Sequence, residues 1–148
     1  MKVAVACDHA GFGLKETVIN KIKDLGHEVI NCGTDDTQRV DFPDHAAKAG
    51  RLLQTKEADR AVLICGSGIG MCIAANKMHG VYACVCHDSY SARQGVEHDA
   101  MNALCLGALV IGQNLAEVLV EEFLKAEYFN EGNYKKRVNK ILALEEKF

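Results

Sequence analysis

The chain has 148 residues, 49% of them hydrophobic and 25% charged, a size and balance suited to one globular domain with a substantial core. A formal net charge of -3 and the absence of a basic run argue against a nucleic-acid backbone or an acidic membrane surface as the main partner, which leaves small molecules. No stretch approaches the roughly 18 apolar residues that a membrane span needs. Met1-Lys2-Val3-Ala4-Val5 enters a strand at once, so no signal peptide is expected and the expected location is the cytoplasm.

In chain order, strand and helix alternate. Lys2 to Ala6 reads as a first strand, and Gly13 to Leu25 as a helix with Leu14, Val18, Ile22 and Leu25 on one stripe and Gly26 as its stop. Glu28 to Asn31 reads as a second strand, Gly33 to Asp44 as a polar loop holding the only proline, and His45 to Leu53 as a second helix. The unbroken apolar run Ala61-Val62-Leu63-Ile64, closed by Cys65, predicts a third strand buried on both faces. A helix over Gly70 to Met78 leads to a fourth strand, Val81 to Cys86, then a helical segment near Ser89 to Val96 and a fifth strand near Ala103 to Leu106. Leu115 to Ala126 is an amphipathic helix. After a turn at Asn130-Glu131-Gly132 the last helix carries Val138, Ile141 and Leu142 on one side and many charges on the other. The alternation implies a three-layer α/β/α sandwich around a parallel sheet, with the ligand crevice beyond the carboxyl ends of the strands.

Two loops at that edge carry chemistry. Gly66, Ser67, Gly68 and Gly70 follow the third strand and let the backbone aim successive N–H groups at one spot, an anion cradle. A thiol, Cys65, is placed where it borders that cradle rather than the core. The other loop, Cys7-Asp8-His9-Ala10-Gly11, follows the first strand and meets the cradle if the two strands are neighbours. Seven cysteines without a C-x-x-C pair suit reduced thiols in a cytosolic protein, most of them small core residues. Cys84-Val85-Cys86-His87 invites a zinc reading, but alternate residues on a buried strand share a face by period alone and no second ligand pair follows, so no metal is expected. Cys72 reads as packed in its helix, and His27, His45 and His79 as ordinary loop or helix-end residues. Arg39 is either solvated or at the pocket mouth. The Lys135-Lys136-Arg137 run reads as a solvated helix start.

The motifs resemble the ribose-5-phosphate isomerase B and galactose-6-phosphate isomerase family of sugar-phosphate isomerases, nearly end to end. Asp8-His9-Ala10-Gly11-Phe12 with Leu14-Lys15 is similar to the family's D-H-x-G-x-x-L-K, and Asp41-Phe42-Pro43-Asp44 to its D-Y-P segment. Cys65-Gly66-Ser67-Gly68-Ile69-Gly70, then Ile73-Ala74-Ala75-Asn76-Lys77, is similar to C-G-[ST]-G-x-G-x-x-I-A-A-N-K and is the most specific match. Glu97-His98 with Asn102 lies where the family has E-H-N-x-x-N, and Arg137 where it has the second arginine of G-R-H-x-x-R. The resemblance implies a five-stranded parallel, Rossmann-like sheet, one isomerase domain over residues 1–148, and a pocket formed across a homodimer or dimer of dimers. It also implies that the C-terminal helix, about residues 133–148, is an interface element.

Aldose–ketose interconversion removes a proton beside a carbonyl, passes through an enediolate and returns the proton to the neighbouring carbon. Cys65 at a helix start is the candidate base. The amides of Gly66, Ser67, Gly68, Ile69 and Gly70, with the Ser67 hydroxyl, are candidates for the oxyanion. By resemblance His98 opens the sugar ring, while Asp8, His9, Asp99 and Arg137 contact substrate; no cofactor or metal is required. The expected reaction is ribose 5-phosphate to ribulose 5-phosphate. Three positions depart from the family pattern: Asp99 replaces asparagine, and Leu109 and Asn133 replace arginines. A phosphate monoester carries close to two negative charges, so these changes are expected to weaken or relocate its binding, with Arg39 or Lys135 as further candidate contacts. A tetrulose phosphate or a hexose 6-phosphate is therefore an alternative substrate. A non-catalytic phosphate- or nucleotide-binding module or subunit is the alternative from another class.

Overall fold

The computed structural model describes residues 1–148 and is an α/β fold. Its elements are β1 (Lys2–Cys7), α1 (Phe12–Asp24), β2 (Glu28–Asn31), α2 (Phe42–Gln54), β3 (Arg60–Cys65), α3 (Ile69–Ala75), β4 (Ala83–Val85), α4 (Ser89–Asp99), β5 (Ala103–Gly107), α5 (Gln113–Lys125) and α6 (Gly132–Lys147). All five strands are parallel, in the order β2-β1-β3-β5-β4. β1 and β3 are neighbours, with Val5 opposite Val62 and Cys7 opposite Ile64. Their connections lead to opposite edges of the sheet, β1 to β2 and β3 to β4. The crevice of a doubly wound sheet forms at such a divergence.

The period-2 alternation of the central strands builds two unlike cores. Val3, Val5, Val62, Ile64, Leu104 and Leu106 face α1, α4 and α5, where Leu14, Val18, Ile22, Leu119 and Phe123 complete a cluster of large side chains. Ala4, Ala6, Ala61, Leu63, Cys65, Ala103 and Cys105 face α2 and α3, with Ala46, Ala49, Met71 and Ala75. The small residues of the second face let these helices approach the sheet closely. No helix is long and apolar enough to cross a membrane.

Several expected boundaries shift, each for a local reason. α2 starts at Phe42 rather than His45, because Pro43 falls in the first turn, where its missing N–H costs nothing. His45 is therefore inside the helix and buried, with Nδ1 3.1 Å from the Cys32 carbonyl oxygen, and is no ordinary helix-end residue. β4 is three residues long instead of six. Side-chain amides replace parts of its ladder: Asn76 Oδ1 accepts from Ala83 N–H and Asn76 Nδ2 donates to the Ala83 carbonyl, both at 2.8 Å, and Asn102 Oδ1 accepts from Tyr82 N–H at 2.8 Å. As an edge strand it leaves Cys84 exposed and only Cys86 buried, so the two do not share a buried face. α3 ends at Ala75. α4 runs on to Asp99 and is closed by Ala100 at φ 56°, which puts His98 and Asp99 in its last turn.

Candidate active site

The C-terminal ends of β1, β3 and β5 are locked together by their backbones. At Gly11 a Cβ would lie 2.3 Å from the Ile64 carbonyl oxygen, so only glycine lets the first loop cross the end of β3. Asp8 N–H donates to that same Ile64 carbonyl (3.2 Å), and Gly11 N–H donates to the buried Asp8 carboxylate (2.9 Å). On the other flank Gly68, at φ +80°, adopts the left-handed conformation that starts α3. A Cβ at Gly107 would lie 2.7 Å from the Ser67 carbonyl group. Ala108 and Leu109 N–H groups donate to the Cys65 and Gly66 carbonyls at 2.9 and 3.0 Å.

Cys65 is 5% exposed and belongs to the smaller core, so it both lines the core and borders the cradle, which corrects the expectation that it would do only the latter. Its Sγ accepts the Gly68 N–H at 3.1 Å. Ile69 N–H turns back to Ser67 Oγ (3.2 Å). The amides of Gly66, Ser67 and Gly70 donate to nothing within the chain and are the ones left for a ligand oxygen. Phe42 closes over the start of α3, its ring 2.8 Å from where a Gly70 Cβ would stand.

Beside Asp8 a cleft of about 550 Å³ is lined by His9, Arg39, Val40, Asp41 and Phe42. Val40 N–H donates to His9 Nδ1 (3.3 Å), which ties the loop before α2 to the loop after β1. Arg39 is thus at the mouth of this cleft. Leu109 lies at the same edge, 83% exposed, its Cδ1 3.3 Å from the position of a Gly66 Cβ.

The remaining candidates stand elsewhere. α4 starts beyond the carboxyl end of β4 and returns to the start of β5, so His98 and Asp99 lie at the opposite end of the sheet from Cys65. The His98 ring stacks near Tyr134 (centroids 4.5 Å apart) and Phe129 (5.6 Å), and its Nδ1 is 2.8 Å from Gln94 Nε2. Gln94 Nε2 also donates to Asp99 at 3.4 Å. Phe129 N–H donates to the Glu97 carbonyl (3.0 Å), fixing the chain that leads into α6. Asn133, Lys135 and Arg137 follow in the first two turns of α6. One chain therefore brings Asp8, His9, Arg39 and the Cys65–Gly70 loop together and holds His98, Asp99 and Arg137 apart from them.

Asn102 is occupied by Tyr82 N–H and the Gly80 carbonyl, an anchoring role in the fold. No group of three or more His, Cys, Asp or Glu side chains is arranged to hold a metal ion. Cys72 is half-buried rather than packed away; the Cys105 thiol beside it holds its pKa down to about 7, against an ordinary 9.0. Burial pushes Cys7 and Cys32 up to about 11. Sequence reasoning missed Phe42 over Gly70 and the Phe129–Tyr134 pair around His98; two aromatics five residues apart across a glycine turn were the available signal.

The sequence matches the Ribose/Galactose Isomerase family over residues 3–141. It is 39% identical over 146 residues to the ribose-5-phosphate isomerase B of Escherichia coli, covering 99% of this chain and 97% of that one. It is 36% identical over 154 residues to D-erythrulose-4-phosphate isomerase 2 of Mycolicibacterium smegmatis, covering 98% and 97%. The structure superposes on that of Clostridium thermocellum ribose-5-phosphate isomerase B with a TM-score of 0.95 at 42% identity, covering 99% of both chains. Similarity of this extent spans the interlocked strand ends and the α4–α6 corner alike, and this chain belongs to the ribose/galactose isomerase family.

Proposed function

We propose that the chain interconverts an aldose phosphate and its ketose through an enediolate, with ribose 5-phosphate and ribulose 5-phosphate as the pair. The observation that carries this is the Cys65 sulfur receiving the Gly68 N–H at the rim of a nest whose Gly66, Ser67 and Gly70 amides are free. The Cys65 thiolate takes the proton from the carbon beside the carbonyl; the C–H electron pair forms the enediolate C=C bond and the carbonyl oxygen takes the charge. The nest amides receive that oxygen, the proton of the adjacent hydroxyl passes to it, and Cys65 returns its proton to the former carbonyl carbon as the adjacent carbon–oxygen bond becomes the new carbonyl. Asp8 and His9 contact the sugar from the β1 side, and Arg39 stands at the phosphate end of the cleft. The reaction calls for no metal or cofactor, and the enzyme works in the cytoplasm. A binding module without catalysis gives no reason for a thiol in the nest.

The active unit is a homodimer. His98, Asp99 and Arg137 reach the opposite end of their own sheet, so the site is completed when Cys65 of one chain faces the partner subunit's His98. Ile69 and Ile73 on α3 are 57% and 58% exposed, and Ile141, Leu142 and Leu144 on α6 are also open, which supports a covered surface on both elements. His98 opens the sugar ring, and Asp99 and Arg137 hold substrate.

A second reading concerns the substrate. Leu109 stands at the cleft edge and Asn133 at the α6 start where the family pattern has arginines, and Asp99 adds a carboxylate. The relative from Mycolicibacterium smegmatis is named for a four-carbon phosphate. These features favour a shorter sugar phosphate. Measuring kcat/KM across four-, five- and six-carbon phosphates decides between the two, with Cys65→Ala as the blank. Activity on none of them overturns the isomerase reading, and activity abolished by a chelator overturns the metal-free mechanism.

A further inference from the structure

His87, two residues past the end of β4, takes no part in the chemistry assigned to Cys65 and His98. We propose that His87 is a positioning residue of the amide nest: its ring accepts the Gly107 N–H and so holds the brace on which the Cys65–Gly70 turn rests. The inference rests on the isomerase reading of that nest. Along the β5 edge that faces β4, Ala103 N–H donates to the Tyr82 carbonyl, and two pairs further on Gly107 N–H points at the place where the next β4 carbonyl would stand. β4 has ended by then, at Val85. His87 Nε2 takes that place, 3.0 Å from Gly107 N.

A main-chain amide can only donate, so Nε2 is the acceptor and the ring proton of the neutral imidazole is on Nδ1. The bond bears on the nest because Gly107 has no slack. Its Cβ position is 2.7 Å from the Ser67 carbonyl group, and its N is 3.3 Å from the Cβ position of Gly68, the residue whose amide meets Cys65 Sγ. Ala108 and Leu109 then tie the brace to the Cys65 and Gly66 carbonyls. Without an acceptor at Nε2, the buried Gly107 amide must move to find water, and the turn moves with it.

Three variants of the full chain separate this role from packing. In His87→Gln the amide oxygen reaches the Nε2 position; in His87→Asn it is too short; in His87→Phe the ring volume stays and the acceptor is lost. We expect Gln to keep kcat within about threefold of wild type, and Asn and Phe to lose about 10- to 100-fold, as small displacements of catalytic geometry do. KM stays nearly constant and affinity for a hydroxamate analogue of the enediolate falls in parallel with kcat, because the nest acts on charge that develops in the transition state. Wild-type kcat in His87→Phe, or equal losses in Gln and Asn, overturns the proposal. Scalar coupling across the N–H···N bond, between Gly107 N and His87 Nε2, gives a readout without turnover. Its absence overturns the contact itself, whereas coupling in a protein that isomerises no sugar phosphate refutes only the isomerase reading.

Discussion

The two ends of the sheet are built by different means. At the carboxyl end, Asp8, Gly11, Cys65, Gly68 and Gly107 are fixed by main-chain hydrogen bonds and by approaches that leave no room for a Cβ. At the other end, His98 is held by two aromatic rings and one side-chain amide on the half-exposed surface of α4 and α6. Backbone geometry tolerates few substitutions, while helix-surface side chains change without disturbing the fold. On the reading proposed above, the end that carries the Cys65 nest is therefore the conservative one in physical terms, and the end that carries His98 and Asp99 is freer to drift.

The sharpest way to break this contrast is to remove the thiol. Cys65→Ala is expected to lower kcat by about a thousandfold or more while sparing affinity for the hydroxamate analogue, because the amides remain. Near-normal turnover would move suspicion to Asp8. Mixing this inactive variant with His98→Asn joins the two ends: half of the randomly reassorted dimers are mixed, each with one intact site, and about a quarter of wild-type activity returns. No recovery after verified subunit exchange would mean that Cys65 and His98 do not meet across a dimer.

Next in size is His98→Asn alone. It should cost about a hundredfold on a cyclising pentose phosphate and much less on a four-carbon phosphate that closes no stable ring. Equal losses on both would place His98 in the common proton-transfer step. Restoring the missing cations tests drift at both ends: Leu109→Arg beside the cleft with Asn133→Arg in α6 should raise kcat/KM for ribose 5-phosphate about tenfold or more, since a charge-assisted contact contributes roughly 1.5–3 kcal/mol. If ribose 5-phosphate is already the best substrate and the arginines add nothing, the altered-recognition reading is wrong.

The smallest effect concerns Cys72. Its depressed pKa favours the folded state above the unfolded value of 9.0, and this contribution is lost as pH falls through about 7. Its alkylation by iodoacetamide should accordingly rise through about pH 7, ahead of Cys7 and Cys32, whose thiols stay protonated up to about 11. Simultaneous modification of the three would show that the Cys105 thiol does not support the Cys72 thiolate.

The carboxyl-end site was legible in the sequence because glycines at Gly66, Gly68 and Gly70, after an unbroken apolar strand, leave few conformations open. The expected neighbourhood of the Asp8 and Cys65 loops holds in the register of β1 on β3. The helix ends were less legible. Pro43 reads as loop until its place in the first turn is known, and β4 reads as six residues because nothing local announces that Asn76 and Asn102 will take over its hydrogen bonds. His87 was visible only as part of the Cys84-Val85-Cys86-His87 motif, since its partner is a main-chain amide twenty residues away that no composition rule marks.

The 2.3 Å approach of a Gly11 Cβ position to the Ile64 carbonyl has a dynamic consequence. With Asp8 bonded to the same carbonyl, the loop after β1 cannot swing out unless the end of β3 also loosens. The two loops open as one cooperative unit, and slow amide exchange at Gly11 and Gly68 should share a single opening free energy, separate from the fraying of the β2 edge. Substrate entry and release at this end are then coupled to the joint opening of the two loops rather than to either loop alone.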